Sequence, residues 1–165
     1  MQTLIDRLDA WNTKLAQALG WVGGLALVAM MALSCANIVL RAVWVPVPGA
    51  YELIGFAGAV LAAFSLSYTQ IHKTHISVGI LAGRLPKILR RTCSLAATLA
   101  SSLLFLVVAE ETFSWGLYLE RTGELSETLI IPYHPVVFAV ALGCLLLGFS
   151  MFTDFLKILS GKVKV

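Results

Sequence analysis

The chain has 165 residues, of which 59% are hydrophobic and only 13% charged, with a formal net charge of +3. Soluble domains carry about 45–50% apolar and about 25% charged residues, and a chain this short leaves too much surface wet to hide such an excess. These values exclude a free-standing soluble enzyme and a disordered tail, and the weak, dispersed positive charge excludes nucleic-acid binding.

Residues 1–19 have the pattern of an amphipathic helix. Leu4, Leu8, Trp11, Leu15 and Leu19 share one face, with Asp6, Asp9, Thr13 and Gln17 opposite. Such a helix lies on a membrane surface, or against a partner subunit through the same face, before the chain turns into the bilayer. No short apolar run ends at a small-residue cleavage site, so the first span is expected to be an uncleaved anchor.

Four stretches then lack Asp, Glu, Lys and Arg, each about 18–26 residues long, against the ~20 needed to cross a hydrocarbon core as helix. They predict an all-α integral membrane protein, a single membrane domain with transmembrane helices near 18–40, 53–72, 88–110 and 133–153. The first pair is joined by Val45-Pro46-Val47-Pro48-Gly49, whose prolines stop helix continuation. The connection from Lys73 to Arg91 is basic, and Pro86 suits the first turn of the third helix. The connection between helices three and four is acidic, with Glu110, Glu111, Glu120, Glu124 and Glu127 against Arg121. Pro132 and Pro135 mark the start of the fourth helix.

Lys and Arg set the direction. Ten lie in the N-terminal segment, the connection after helix two and the C-terminal tail, whereas Arg41 and Arg121 alone fall on the opposite side. The positive-inside bias places both termini in the cytoplasm. Trp44, Tyr51, Trp115, Tyr118 and Tyr133 fall near the outer span ends, as amphipathic rings prefer.

Chemistry within the spans is sparse. Glu52, Glu110 and Glu111 sit near outer helix ends, where solvation or pairing with Arg41 or a partner explains them. Asn37 and Gln70 suit helix–helix hydrogen bonds or water. His72 and His75 occupy the inner end of helix two and His134 the outer end of helix four, too far apart for shared haem ligation. Cys35, Cys93 and Cys144 are expected to be free structural thiols. No nucleophile with a base and no phosphate-cradling loop is present, and no cofactor is expected in this chain. Gly20, Gly23, Gly24, Gly55, Gly58, Gly143 and Gly148 form smooth strips for close helix approach.

Several segments carry a family resemblance in their order. Asn37-Ile38-Val39-Leu40-Arg41, the proline turn with Tyr51-Glu52-Leu53, and His72-Lys73-Thr74-His75-Ile76-Ser77-Val78 leading to Leu85-Pro86 come first. Gly123-Glu124-Leu125 and Ile131-Pro132 complete the set. Over roughly residues 20–155, the chain resembles the small permease subunit (DctQ-type, or Q subunit) of tripartite ATP-independent periplasmic (TRAP) transporters. One departure is Gly79, where an acidic residue often follows the valine.

The resemblance implies a scaffold in a bacterial inner membrane that braces a much larger permease subunit. That partner carries the substrate and sodium sites, and an extracytoplasmic binding protein delivers an organic acid such as a C4-dicarboxylate or sialic acid. Arg41, Glu52, Glu120, Arg121, Glu124 and Glu127 are then the candidate partner contacts, with Arg41 and Glu52 stabilising either the outer turn or the subunit contact. Trp11, Arg84, Lys87, Arg90 and Arg91 are candidates to seat the inner face on lipid or a subunit. Two competing readings are a respiratory membrane anchor binding haem or quinone, and a small homodimeric exporter, which normally wants a membrane-embedded carboxylate.

Overall fold

The computed structural model describes residues 2–71 and 86–159. Among these residues four α-helices run in order: α1 (Gln2–Val43), α2 (Ala50–Ile71), α3 (Lys87–Thr122) and α4 (His134–Leu159). All four contain a segment long and apolar enough to cross a membrane. The number and order of helices match the expectation, and the chain is a multi-pass membrane protein.

The helix ends differ from the charge-free gaps. α1 is helical for 42 residues, about 63 Å at 1.5 Å per residue, and no non-helical residue separates the expected amphipathic segment from the first span. Gly20, Gly23 and Gly24 do not interrupt it; Tyr68 packs against Gly20, Phe64 and Leu61 lie near Gly23, and Gly24 faces open space. Asn12 and Ala16 face the bundle, whereas Trp11 and Leu15 of the apolar stripe point away from it.

α3 continues three turns beyond Glu110 and stops at Gly123, which takes the left-handed conformation (φ 66°) and donates its N–H to Leu119 O at 3.0 Å. Glycine is favoured there because it has no Cβ to strain. Glu110, Glu111, Glu120 and Arg121 are therefore helical, and the connection itself is 123–133.

α4 is the centre of the layout. It packs against α1, α2 and α3; α1 and α2 pair closely, and among the described residues α3 finds its substantial contact in α4 alone. Accordingly α4 is the most buried of the spans and α1 and α3 the least. The helices approach closely where glycine permits. A Cβ on Gly143 would lie 2.8 Å from Ala63 Cβ, and one on Gly116 would lie 2.6 Å from the Phe138 ring.

Buried hydroxyls tie the helices at these places. Ser67 Oγ donates to Gly143 O at 2.8 Å and Ser102 Oγ to Gly148 O at 3.0 Å, both serines fully buried. Gln70 Nε2 donates to Asp154 Oδ2 at 3.0 Å, linking α2 to α4 as a helix–helix hydrogen bond. Cys35, Cys93 and Cys144 are free thiols.

Candidate functional site: the loop end of the bundle

Two connections meet at one end of the molecule. Asn37, nearly buried in α1, accepts the Val47 N–H through Oδ1 at 2.9 Å. This bond holds the proline turn against the helix it leaves. Gly49 then takes φ +69°, and a Cβ there would overlap the Leu129 side chain. Both the backbone angle and the close approach require glycine. Leu53 N–H bonds Gly49 O at 3.1 Å as α2 begins.

Glu52, in the first turn of α2, reaches across to the α3–α4 connection. Its two carboxylate oxygens accept the Thr128 N–H at 2.7 Å and the Leu129 N–H at 3.1 Å. A carboxylate at this position also meets the favourable end of the α2 dipole. The geometry therefore assigns Glu52 an intramolecular task, holding a loop rather than pairing with Arg41.

The held loop is ordered in its own right. Leu125 and Pro132 face each other as an isolated antiparallel bridge. Ser126 N–H donates to Ile131 O at 2.9 Å, and the buried Ser126 Oγ accepts the Ile131 N–H at 3.2 Å. Between them Ile130 sits at φ 55°, with its side chain 67% exposed. A β-branched residue in the left-handed region is a strained exception, and such strain persists only where the surroundings fix it.

Around this platform Glu124 and Glu127 are exposed on the loop, and Glu120 and Arg121 are exposed on the last turn of α3. Arg41 is exposed in the last turn of α1. The structure thus brings Glu52, Glu124 and Glu127 to one loop system. His134, at the start of α4, rests edge-on to Phe138, with ring centroids 6.1 Å apart. Chemically this is a hydrogen-bonded loop that exposes the carboxylates of Glu124 and Glu127 and the apolar side chain of Ile130.

At the opposite end, where α1 starts and α4 finishes, Trp11 is exposed. Arg91 Nη2 lies 3.3 Å from both Ile158 O and Leu159 O, so it caps the last turn of α4. Lys87 and Arg90 belong to the first turn of α3, with side chains outside the description. Arg84, His72 and His75 lie outside the described residues.

Ile130, Asn12 and Asp154 were not legible as site residues. Ile130 is one more apolar letter before a proline, and its unusual φ has no composition signal. Asn12 and Asp154 matter only because two distant helices place them together.

The family model described as "Tripartite ATP-independent periplasmic transporters, DctQ component" matches residues 30–161. The chain belongs to this family. It is therefore the small permease subunit of a TRAP transporter, and the DctQ match spans the loop-end platform, the last third of α1 and the whole of α2, α3 and α4. No curated protein and no solved structure matches the chain. The match supports the transport reading over that of a respiratory anchor.

Proposed function

We propose that this DctQ component is a non-transporting brace in a sodium-driven organic-acid importer of a bacterial inner membrane, with both termini cytoplasmic. The observation that carries the reading is how the buried polar side chains are used. Among the described residues Asn37, Ser67, Ser102, Ser126, Ser150 and Thr153 all hydrogen-bond within the chain, most of them tying helices or loops together. Asn12 does so through Nδ2, while its Oδ1, at the terminal end of the bundle, is the one buried side-chain oxygen among the described residues left without a partner. A solute or ion pathway needs polar ligands left for the cargo. A brace needs rigid helices and apolar outer faces, which α1 and α3 supply.

On this reading the large permease subunit holds the substrate and sodium sites and packs on the apolar faces of this chain. The loop-end platform, with Ile130 among Glu120, Arg121, Glu124 and Glu127, receives the extracytoplasmic binding protein. Arg41 flanks the same surface. Trp11, Arg91 and the basic residues from Arg84 to Arg90 seat the opposite face on lipid or the large subunit.

The deciding experiment is reconstitution of the large subunit and binding protein in vesicles with and without this chain. Uptake should depend on it. Full-rate uptake in its absence would overturn the brace.

A further inference from the structure

The terminal end contains a polar cavity of about 220 Å³ between α1, α2 and α4. Asn12 lines it and is only 3% exposed. Its Nδ2 donates to Ser150 Oγ at 2.6 Å, while its Oδ1 has no partner among the described residues. A buried amide oxygen demands a donor, and Asn12 Oδ1, beside this cavity, has none among the described residues.

Asp154 faces the same space. Its Oδ2 accepts from Gln70 and its Oδ1 lies 3.7 Å from Lys157 Nζ, and each carboxylate oxygen has a further lone pair to offer. The lining therefore combines two acceptors with a cation. Its complement is a ligand with a hydrogen-bearing cationic group and an anionic group beside it.

A second, larger feature shares one face of α1 with this cavity. Thr13, which lines the polar cavity, is followed at helical spacing by Gln17, Gly20 and Gly24, which line a groove of about 530 Å³ with Trp21 and Tyr68. A Cβ on Gly24 would meet nothing within 4 Å, so the groove is open along the helix. A polar chamber at the helix ends and, farther along the same helix, a groove walled by Trp21, Tyr68 and two glycines together have the layout of a lipid molecule.

We propose that this site binds a phospholipid with a primary ammonium headgroup, phosphatidylethanolamine. The ammonium donates to Asn12 Oδ1 and Asp154, the phosphate faces Lys157, and one acyl chain follows Gly20 and Gly24. Two other headgroups test the chemistry. The trimethylammonium of phosphatidylcholine has no N–H to give, and phosphatidylglycerol has no cation.

The test uses the full-length chain in the membrane complex with which it purifies, stripped of lipid in mild detergent. It is titrated with equal amounts of the three lipids, distinguished by acyl mass, and read by native mass spectrometry. Phosphatidylethanolamine should be retained about tenfold over the other two, the value of one charge-assisted hydrogen bond. Asn12→Leu should bring the three to parity. Ser150→Ala loosens the same α1–α4 joint but keeps the Asn12 amide as an acceptor, and should keep the preference. Equal retention of all three lipids by the unmodified chain would mean that water fills the cavity, and would overturn the proposal. So would an undiminished preference in Asn12→Leu. Neither outcome depends on whether the chain braces a transporter.

Discussion

Glu52 at the start of α2 and Thr128 in the α3–α4 connection are joined by a 2.7 Å hydrogen bond across 76 residues of sequence. With the second bond to Leu129, at 3.1 Å, one carboxylate couples the two halves of the chain at the loop end. The coupling matters because a loop of this kind has little core of its own. Its shape is set by hydrogen bonds made by its backbone, and the Glu52 carboxylate accepts two of them. Glu52→Ala should accelerate amide hydrogen exchange at Thr128 and Leu129 and spread that effect over 125–131. Glu52→Gln, which keeps an acceptor oxygen, should give an intermediate result, and exchange in the four helices should not change. Exchange measured by mass spectrometry checks this; unchanged protection at Thr128 would show that the contact contributes nothing to order.

Ile130 gives the platform its second testable property. Its left-handed backbone costs about 1–2 kcal/mol for a residue with a Cβ, and its side chain is mostly exposed, so glycine loses little packing. Ile130→Gly should therefore leave thermal stability in detergent unchanged or raise it by up to about 1 kcal/mol. If the projecting side chain meets the binding protein, the same variant should weaken that association. Stability and affinity would then move in opposite directions. A clear loss of stability would show that Ile130 packs more than its exposure indicates.

Glycine is needed where α4 meets α2 and dispensable where α2 faces open space. An added methyl at Gly143 would press on Ala63, with backbone atoms 3.0 Å away, and would push against the carbonyl that Ser67 uses. Gly143→Ala should destabilise by about 1–3 kcal/mol, the usual cost of overpacking. Gly55→Ala projects into open space and should be neutral, or gain from the better helix propensity of alanine. Paired thermal melts in detergent distinguish these outcomes; equal effects would show that α2 and α4 adjust freely.

Much of the architecture is legible in the sequence because charge is so costly in lipid that its absence marks each span. The ends of the helices are less legible, for a physical reason. A charge-free gap reports where the hydrocarbon lies, whereas a helix continues until its backbone is stopped. Glu110 and Glu111 close the third gap, but nothing in them stops a helix, and α3 runs on until Gly123 takes φ 66°. Glu52 is identifiable as a residue of interest at an outer helix end. Its acceptance of the Thr128 and Leu129 N–H groups is not, because it depends on α4 bringing the loop back beside α2. The same holds for Asn12 and Ser150, which are 138 residues apart.

Ser67 and Ser102 test how the central helix is held. Each donates to a carbonyl of α4, at Gly143 and Gly148, from a different neighbouring helix. Those carbonyls keep their place in the α4 helix when the serine is removed, so alanine leaves no stranded polar group. The loss is then only the interhelical bond, on average about 0.6 kcal/mol in a membrane bundle. Ser67→Ala and Ser102→Ala should each cost roughly that amount. The double variant should approach the sum, because the two bonds sit on different helix pairs. Unfolding free energies measured in detergent for the two single variants and the double variant check this. A double-variant loss well above the sum would show that α2 and α3 are coupled through α4, and that the bundle loosens as one unit rather than helix by helix.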